Sequence, residues 1–302
     1  MKIAFSPCPN DTFVFHALVH GLIPGTPEFD VTYADIHITN NLAANSDELD
    51  IMKISFAAMP WISPEYKLIP CGGALGRGCG PLVLTAGGSI DGGADGGAAG
   101  SSDGGVAGST DEIAAKGASL LSGKRVAVPS ERSTAYLLFR LWAAQNVPGG
   151  IGEIVVMPFH EIMPAIRDGL IDAGLVIHEA RFTYQNYGLS KVVDLGSWWE
   201  SDTGLPIPLG AIIARRSLDL ATISTWIRKS VEYAWQHPDA SKEYVLHHAQ
   251  EMDPSVAQSH IDLYVNEFTA DLGDEGFAAI TNLLQRAMDE GLVPQMDLAA
   301  LR

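Results

Sequence analysis

The sequence predicts an α/β fold in two lobes with a cleft between them. Short apolar runs of strand length alternate with helical periodicity through the N-terminal segment, and the same alternation returns over residues 122–203. From Leu220 onward the pattern is helical. The economical arrangement inserts the middle α/β unit, 122–203, into a larger discontinuous domain made of residues 1–86 and 204–302. Residues 87–121 are then a Gly-rich insertion and crossover. Two crossings join the lobes, near Thr85–Gly123 and Trp199–Leu209, and facing strand ends leave a cleft between them.

Ile3–Phe5 is an apolar strand. Ser6-Pro7-Cys8-Pro9-Asn10-Asp11-Thr12-Phe13 follows; its two prolines bar an ordinary helix interior, and Asn10, Asp11 and Thr12 can each cap. Phe13–Leu22 carries apolar residues at Phe13, Phe15, Ala17, Leu18 and Leu22, as a helix would. Such a corner offers free backbone N–H groups to a small anion, although a plain βα junction looks the same. Phe29–Ile36 reads as the second strand, ending near Asp35, and Asn40–Asn45 as the short start of a helix toward Asp50. Ile54–Met59 is a strand or a tight helix entry stopped by Pro60, and Gly80–Thr85 is a β-rich run after the glycine-heavy Gly72–Gly78. Residues 87–108 hold almost no large apolar side chain, which predicts a mobile acidic loop. Lys124–Pro129 is a strand, and Ala135–Ala144 a helix with Leu137, Leu138, Leu141 and Trp142 near one face. Ile154–Met157 (strand), Glu161–Arg167 (helix), Ala173–Ile177 (buried strand) and Val192–Leu195 (strand) complete the middle unit. Leu209–Ala214 is a strand after Pro206-Ile207-Pro208, and helices cover Leu220–Gln236, Ser241–Gln250, Ser255–Tyr264 and Asp274–Glu290.

Composition excludes several classes. No run approaches the roughly 20 apolar residues of a membrane helix, so no membrane insertion is expected. The first residues enter a strand directly rather than a basic and apolar leader, and Cys8, Cys71 and Cys79 make no disulfide framework. Both features point to the cytoplasm. Cys71 and Cys79 lack a closely spaced histidine, so no zinc site is expected. The net charge of −17 argues against a nucleic-acid partner. It leaves room for an anionic small molecule, because helix N-termini and a few cations set the potential inside a cleft. Composition leaves both a monomer and a homodimer open.

Several side chains carry candidate chemistry. His178 comes directly after an apolar strand, where open α/β sheets hold ligands, and imidazole takes a proton near neutral pH without a metal. The alternative is a histidine capping the strand. His160, just past another strand, is the rival. His16 and His20 are four apart on a helix but lack the acidic partner of a metal motif, and His237, His247 and His248 stand in no constellation. Asn40 can fix a histidine or a substrate oxygen, or simply form a turn. Lys53 and Ser55 flank Ile54 and share one face of a strand, a pairing suited to a carboxylate. Ser133 and Thr134 precede a helix, where hydroxyls and free N–H groups converge for capping or for an anion. Arg77 suits a carboxylate or an ion pair. Gly72–Gly80 lacks the Gly-Lys-Ser/Thr of a phosphate loop, and Ser6 and Cys8 lack a nucleophile–base pairing, so NTP, NAD and hydrolase chemistry are not expected.

Five phrases in this order give the chain a likeness: Ser6–Phe13, Gly72–Gly78, Ile177-His178-Glu179-Ala180-Arg181-Phe182-Thr183-Tyr184, Val193-Asp194-Leu195-Gly196 and Gly204–Ile212. The chain resembles the MqnA/MqnD family of menaquinone-biosynthesis enzymes. The resemblance implies a type II periplasmic-binding-protein-like fold with an interlobe active-site cleft. It implies a lyase-type reaction converting cyclic dehypoxanthine futalosine into 1,4-dihydroxy-6-naphthoate with release of the sugar-derived fragment, on a carboxylate-bearing small molecule and with no cofactor or metal. His178 matches the family's proton acceptor. Asn40 matches an asparagine that approaches it across the cleft; Lys53, Ile54 and Ser55, and Thr134 with Ala135, match substrate-binding segments. The first phrase alone also suits an MqnA-like chorismate dehydratase, and the fold alone suits a non-enzymatic binding protein for small anions.

Overall fold

The computed structural model describes residues 1–46, 48–62, 64–87, 117–249 and 253–302. Strands β1 (Lys2–Phe5), β2 (Asp30–Tyr33), β3 (Ile51–Ser55), β4 (Tyr66–Gly76) and β10 (Ile207–Arg215) form one sheet in the order β2-β1-β3-β10-β4. Strands β5 (Leu82–Ala86), β6 (Arg125–Val128), β7 (Glu153–Val156), β8 (Ala173–Val176) and β9 (Leu189–Asp194) form the second, β7-β6-β8-β5-β9. Both sheets follow one plan. Three parallel strands are joined by an antiparallel one that arrives from the other half of the chain: β10 between β3 and β4, β5 between β8 and β9. The sequence division grouped residues 82–86 with 1–81, yet their hydrogen bonds are to β8 and β9. The first crossing therefore spans residues 77–81, ahead of the insertion. The expectation for residues 87–108 falls, beyond Gly87, outside the described residues.

Helix α1 (Pro9–Val19) starts four residues before the expected Phe13. Cys8 is its N-cap, and Pro9 takes the first helical position, where a missing N–H costs nothing. Asn10, Asp11 and Thr12 therefore lie inside the first turn. Helix α2 (Ile36–Asn45) absorbs the end of the expected second strand and stops at Asn45 instead of running toward Asp50. Residues Phe56–Trp61 form a 3-10 turn that accommodates Pro60. Most of the glycine-heavy stretch, Gly72 to Gly76, is the end of an eleven-residue strand, β4, along which Leu68, Ile69, Cys71 and Leu75 are buried. A Cβ on Gly73 would sit 2.6 Å from the Gly210 carbonyl oxygen, so glycine there lets β4 and β10 approach at an irregular register.

Helices α3 (Thr134–Asn146), α4 (Phe159–Arg167) and α5 (Ala180–Thr183) fall within the middle unit. Helix α6 (Leu195–Thr203) was not foreseen; Asp194 caps it and Gly204, at φ 70°, ends it. The C-terminal part carries α7 (Leu220–Gln236), α8 (Lys242–His248), α9 (Pro254–Tyr264), α10 (Glu267–Ala270) and α11 (Gly273–Asp289). One apolar cluster covers the outer face of the first sheet with α1, α7 and α9, through Phe5, Phe15, Ile227 and Ile261. Another covers the second sheet with α4, through Ile162 and Ile166. The largest runs between the sheets, joining Met52, Ile54 and Ile213 to Val83, Val126 and Leu175 through α3 and α11. No helix among the described residues is long and apolar enough to cross a membrane.

Candidate active site

The carboxyl ends of the parallel strands β1, β3, β6 and β8 open on one cleft between the sheets. Ser6 and Cys8 follow β1, Ser55 ends β3, Ser133 to Ala135 begin the helix after β6, and His178 follows β8. Leu209 and Gly210 of β10 complete the wall, and His260 and Tyr264 reach in from α9.

His178 is held in an unusual backbone state. It is the one non-glycine residue with positive φ (52°) among the described residues. That conformation costs on the order of 1–3 kcal/mol and persists only when its surroundings enforce it. The enforcement is visible on both sides. Phe159 meets the imidazole edge-on at 5.5 Å. Three residues later Arg181 donates to the Gly80 carbonyl at 2.6 Å and to Asp194 at 2.5 Å. Asp194 in turn accepts from the Gly196 amide at 2.9 Å, capping α6. This knot ties the His178 turn to the interlobe crossing, where Gly80 and Gly196 touch backbone to backbone: a Cβ on Gly80 would lie 2.0 Å from the Gly196 nitrogen.

On the opposite wall, strand alternation brings Lys53 and Ser55 into the cleft and buries Ile54 in the interlobe core. The Lys53 ammonium is not a free cation, however. It binds Asp11 at 2.6 Å with both side chains 3 % exposed, and Asn10 donates to the same carboxylate oxygen at 2.9 Å. Gly210 makes room for it, since a Cβ there would come within 2.6 Å of Lys53 Cε. Asn40 is buried outside the cleft lining. Its Nδ2 donates to Ser55 Oγ at 3.0 Å and to the Arg132 carbonyl at 3.2 Å, while its Oδ1 accepts from the Ser55 amide at 2.8 Å. Those bonds use both amide hydrogens, and none of them goes to His178. Asn40 thus fastens the first sheet to the loop before α3.

Thr134 is a second fastening between the lobes. Its hydroxyl donates to the Leu209 carbonyl at 2.8 Å and accepts from the Ala57 amide at 3.1 Å. Ser133 caps α3 through the Tyr136 amide, and the Leu137 amide bonds the Ser133 carbonyl. The amides of Thr134 and Ala135 have no intrahelical acceptor, and both residues line the cleft. The helix N-terminus thus presents two backbone N–H groups to the cleft.

Other candidates stand apart. His160 is exposed beside Glu161 and does not line the cleft. Arg77 pairs with Glu275 at 2.6 Å on the surface. His16 and His20 stack on each other at 4.5 Å, with Tyr244 against them. Burial, then the charges of Asp11 and Glu179, push the Cys8 thiol well above its usual range, and burial pushes Cys79 up to about 12, so neither is a thiolate nucleophile.

One cleft residue escaped the sequence reading. His260 is 1 % exposed, its ring lies 6.2 Å from that of His178, and it stacks at 4.5 Å on Tyr264. Burial, followed by the proximity of His178 and Lys53, holds its pKa well below 6.5. Its signal was the spacing Ala257, His260, Ile261, Tyr264, which puts an imidazole on the buried face of a helix. His178, Glu179 and His260 hold donor atoms within 4.8 Å of one another, the one such trio of potential metal ligands among the described residues.

A protein family described as menaquinone biosynthesis matches residues 1–95 and 92–289. The chain belongs to the menaquinone-biosynthesis family. Within that family it is 60 % identical over 304 aligned positions to a protein of Streptomyces coelicolor named 1,4-dihydroxy-6-naphtoate synthase, covering all of this chain and 97 % of the relative. A protein of Thermus thermophilus with the same name is 39 % identical, covering 97 % of this chain and 95 % of its own. Among solved structures, protein AF1704 from Archaeoglobus fulgidus superposes with a TM-score of 0.80 at 30 % identity, over 97 % of this chain and 98 % of its own. The alkanesulfonate-binding protein SsuA from Xanthomonas axonopodis pv. citri gives 0.66 at 13 % identity, over 99 % and 96 %. The latter likeness is one of fold alone. This member of the menaquinone-biosynthesis family has the two-lobed periplasmic-binding-protein-like fold, with its cleft between the lobes.

Proposed function

We propose that the protein is a 1,4-dihydroxy-6-naphthoate synthase, converting cyclic dehypoxanthine futalosine into 1,4-dihydroxy-6-naphthoate and a sugar-derived fragment. The full-length identity of 60 % with the Streptomyces relative of that name carries the reading. Both relatives bear the synthase name, so a chorismate dehydratase and a plain binding protein have less support.

His178 is the base. A half-buried imidazole fixed at a strand end needs no metal to accept a proton from the sugar-derived part of the substrate. Retro-aldol-like fragmentation or elimination, followed by enolisation, then gives the aromatic product. The substrate carboxylate is best served by the free amides of Thr134 and Ala135. The net charge of Lys53 is already cancelled by Asp11, so the pair shapes the wall without drawing the anion strongly. Asn40 is a positioning residue that orients Ser55 and holds the lobes in register. Residues 1–76 with 204–302 act as one lobe and 82–203 as the other, closing on the substrate and excluding water. The cleft is complete within one chain, so the reading holds for a monomer or a homodimer. Three buried free cysteines and biosynthetic relatives support a cytoplasmic site of action.

A product assay with cyclic dehypoxanthine futalosine tests this. The protein should release 1,4-dihydroxy-6-naphthoate, and His178→Ala should lower kcat by about 10²–10⁴-fold with folding intact. Turnover of chorismate instead would move the chain to the dehydratase reading. Equal turnover by both proteins would discard His178 as the base.

A further inference from the structure

His260 is a buried polar side chain of the cleft whose ring the protein leaves unpartnered. Among the described residues its two ring nitrogens are both fully buried and neither has a hydrogen-bond partner. A buried donor or acceptor left unmatched disfavours the fold, and nearly all such groups in folded proteins find partners. A packing role alone would be served better by Leu or Phe on the same helix face. The ring nevertheless lines the cleft beside His178, stacked on Tyr264. The missing partner therefore belongs to whatever occupies the cleft.

We propose that His260 contacts the substrate directly, as a neutral imidazole whose ring N–H donates to the substrate oxygen that gains charge when His178 takes the proton. This rests on the reaction proposed above. A substrate X–H bond breaks, the proton goes to an imidazole nitrogen of His178, and the electron pair stays on the substrate, where a conjugated or carbinol oxygen carries it. Nothing is oxidised or reduced. A neutral donor suits this task, because it stabilises the oxyanion without competing with His178 for the proton. Burial and the neighbouring His178 and Lys53 keep the His260 ring uncharged; Glu179, Tyr264, Cys8, Cys79 and Asp11 also face this part of the cleft, with Arg181 and Asp194 behind Tyr264. The helix places the donor within a few ångströms of the base without needing a mobile segment.

Two measurements test the proposal. In steady-state kinetics with cyclic dehypoxanthine futalosine, His260→Leu should lower kcat about 10²–10³-fold while KM stays within about threefold. His260→Gln, which keeps an N–H donor at similar reach, should recover at least about tenfold of that loss. Activity of His260→Leu within threefold of the unaltered protein, a change in KM alone, or a Gln variant no better than Leu would each overturn the role. The second measurement needs no variant and covers the case in which His260→Leu fails to fold. In protein labelled with ¹⁵N at histidine, the ring resonances of His260 should shift when 1,4-dihydroxy-6-naphthoate is titrated in, and product binding that leaves them unmoved would overturn the contact. Failure of the unaltered protein to turn over the substrate would remove the reaction and this inference together. Turnover with an indifferent His260 would remove this inference alone.

Discussion

Asp11 and Lys53 form an ion pair sealed from water on the cleft wall, and its energetics are asymmetric. The pair itself contributes little net stability, because desolvation offsets attraction, but removing one partner strands a buried charge. Lys53→Met should therefore cost about 3–5 kcal/mol in urea unfolding, and adding Asp11→Asn should recover a substantial part. Additive losses in the double variant would show that the two side chains do not act as a unit. His260 makes a second prediction at this scale, with a definite sign. Its folded pKa lies below the unfolded value near 6.5, so above 6.5 the ring is neutral in both states. As pH falls below 6.5 the unfolded chain takes up a proton that the folded chain refuses, and stability declines by at most about 1.4 kcal/mol per unit until the lowered pKa is reached. Urea midpoints at pH 7.5, 6.5 and 5.5 should fall less steeply for His260→Gln; an unchanged slope would argue against a buried neutral ring. The contrast between the two histidines shows what a sequence discloses about a site. His178 was legible because an apolar strand ends abruptly in a polar turn. His260 was not, because its role depends on the angle at which a C-terminal helix crosses a cleft built by distant strands.

Elements with a strong period were read closely: α7 runs Leu220–Gln236, as its apolar spacing predicts. Elements set by tertiary contacts were not. The β4 strand was hidden by its glycines, of which Gly73 lets β10 approach while Gly72 and Gly76 make room for Ile227 and Asn266, and α6 was hidden by its mixed polar face. The same close-approach logic makes a prediction at the crossing. Gly80→Ala forces a methyl group against the Gly196 backbone, which no side-chain rotation relieves. Overpacking of this kind costs about 1–3 kcal/mol, and the displaced crossing carries the Arg181 anchor of the His178 turn with it. Activity should therefore fall by at least about tenfold while the protein still folds, since a base misplaced by about an ångström loses rate out of proportion to stability. Gly78→Ala is the control: it has open space and only the strain of φ 67°. It should lose about 1 kcal/mol and little activity. Equal activity losses at the two positions would show that the Gly80 contact has no special bearing on the base.

At the scale of the whole molecule, two sheets of one plan each take in an antiparallel strand and share a core. The returning β-pattern announced a second sheet, but the pairing of β5 with it was not legible, because the short run Leu82-Val83-Leu84-Thr85-Ala86 carries nothing that selects one sheet over the other. The shared core matters for stability. Each sheet carries its own apolar cluster on one face, but the largest cluster packs Val83, Val126 and Leu175 against Met52, Ile54 and Ile213, so separating the lobes would expose the core they share. Thermal unfolding should then be a single transition, with calorimetric and van't Hoff enthalpies in agreement. A cleft ligand contacts both lobes and has nothing to bind in the unfolded chain. At 100 times its dissociation constant, 1,4-dihydroxy-6-naphthoate should add about 2.7 kcal/mol. For 302 residues at about 2.1 cal/mol/K per residue, that corresponds to a rise in Tm of about 4 °C. Because the ligand spans the cleft, the whole transition should move together. Two transitions, or a shift in only part of one, would mean that the lobes fold separately and that the shared cluster does not couple them.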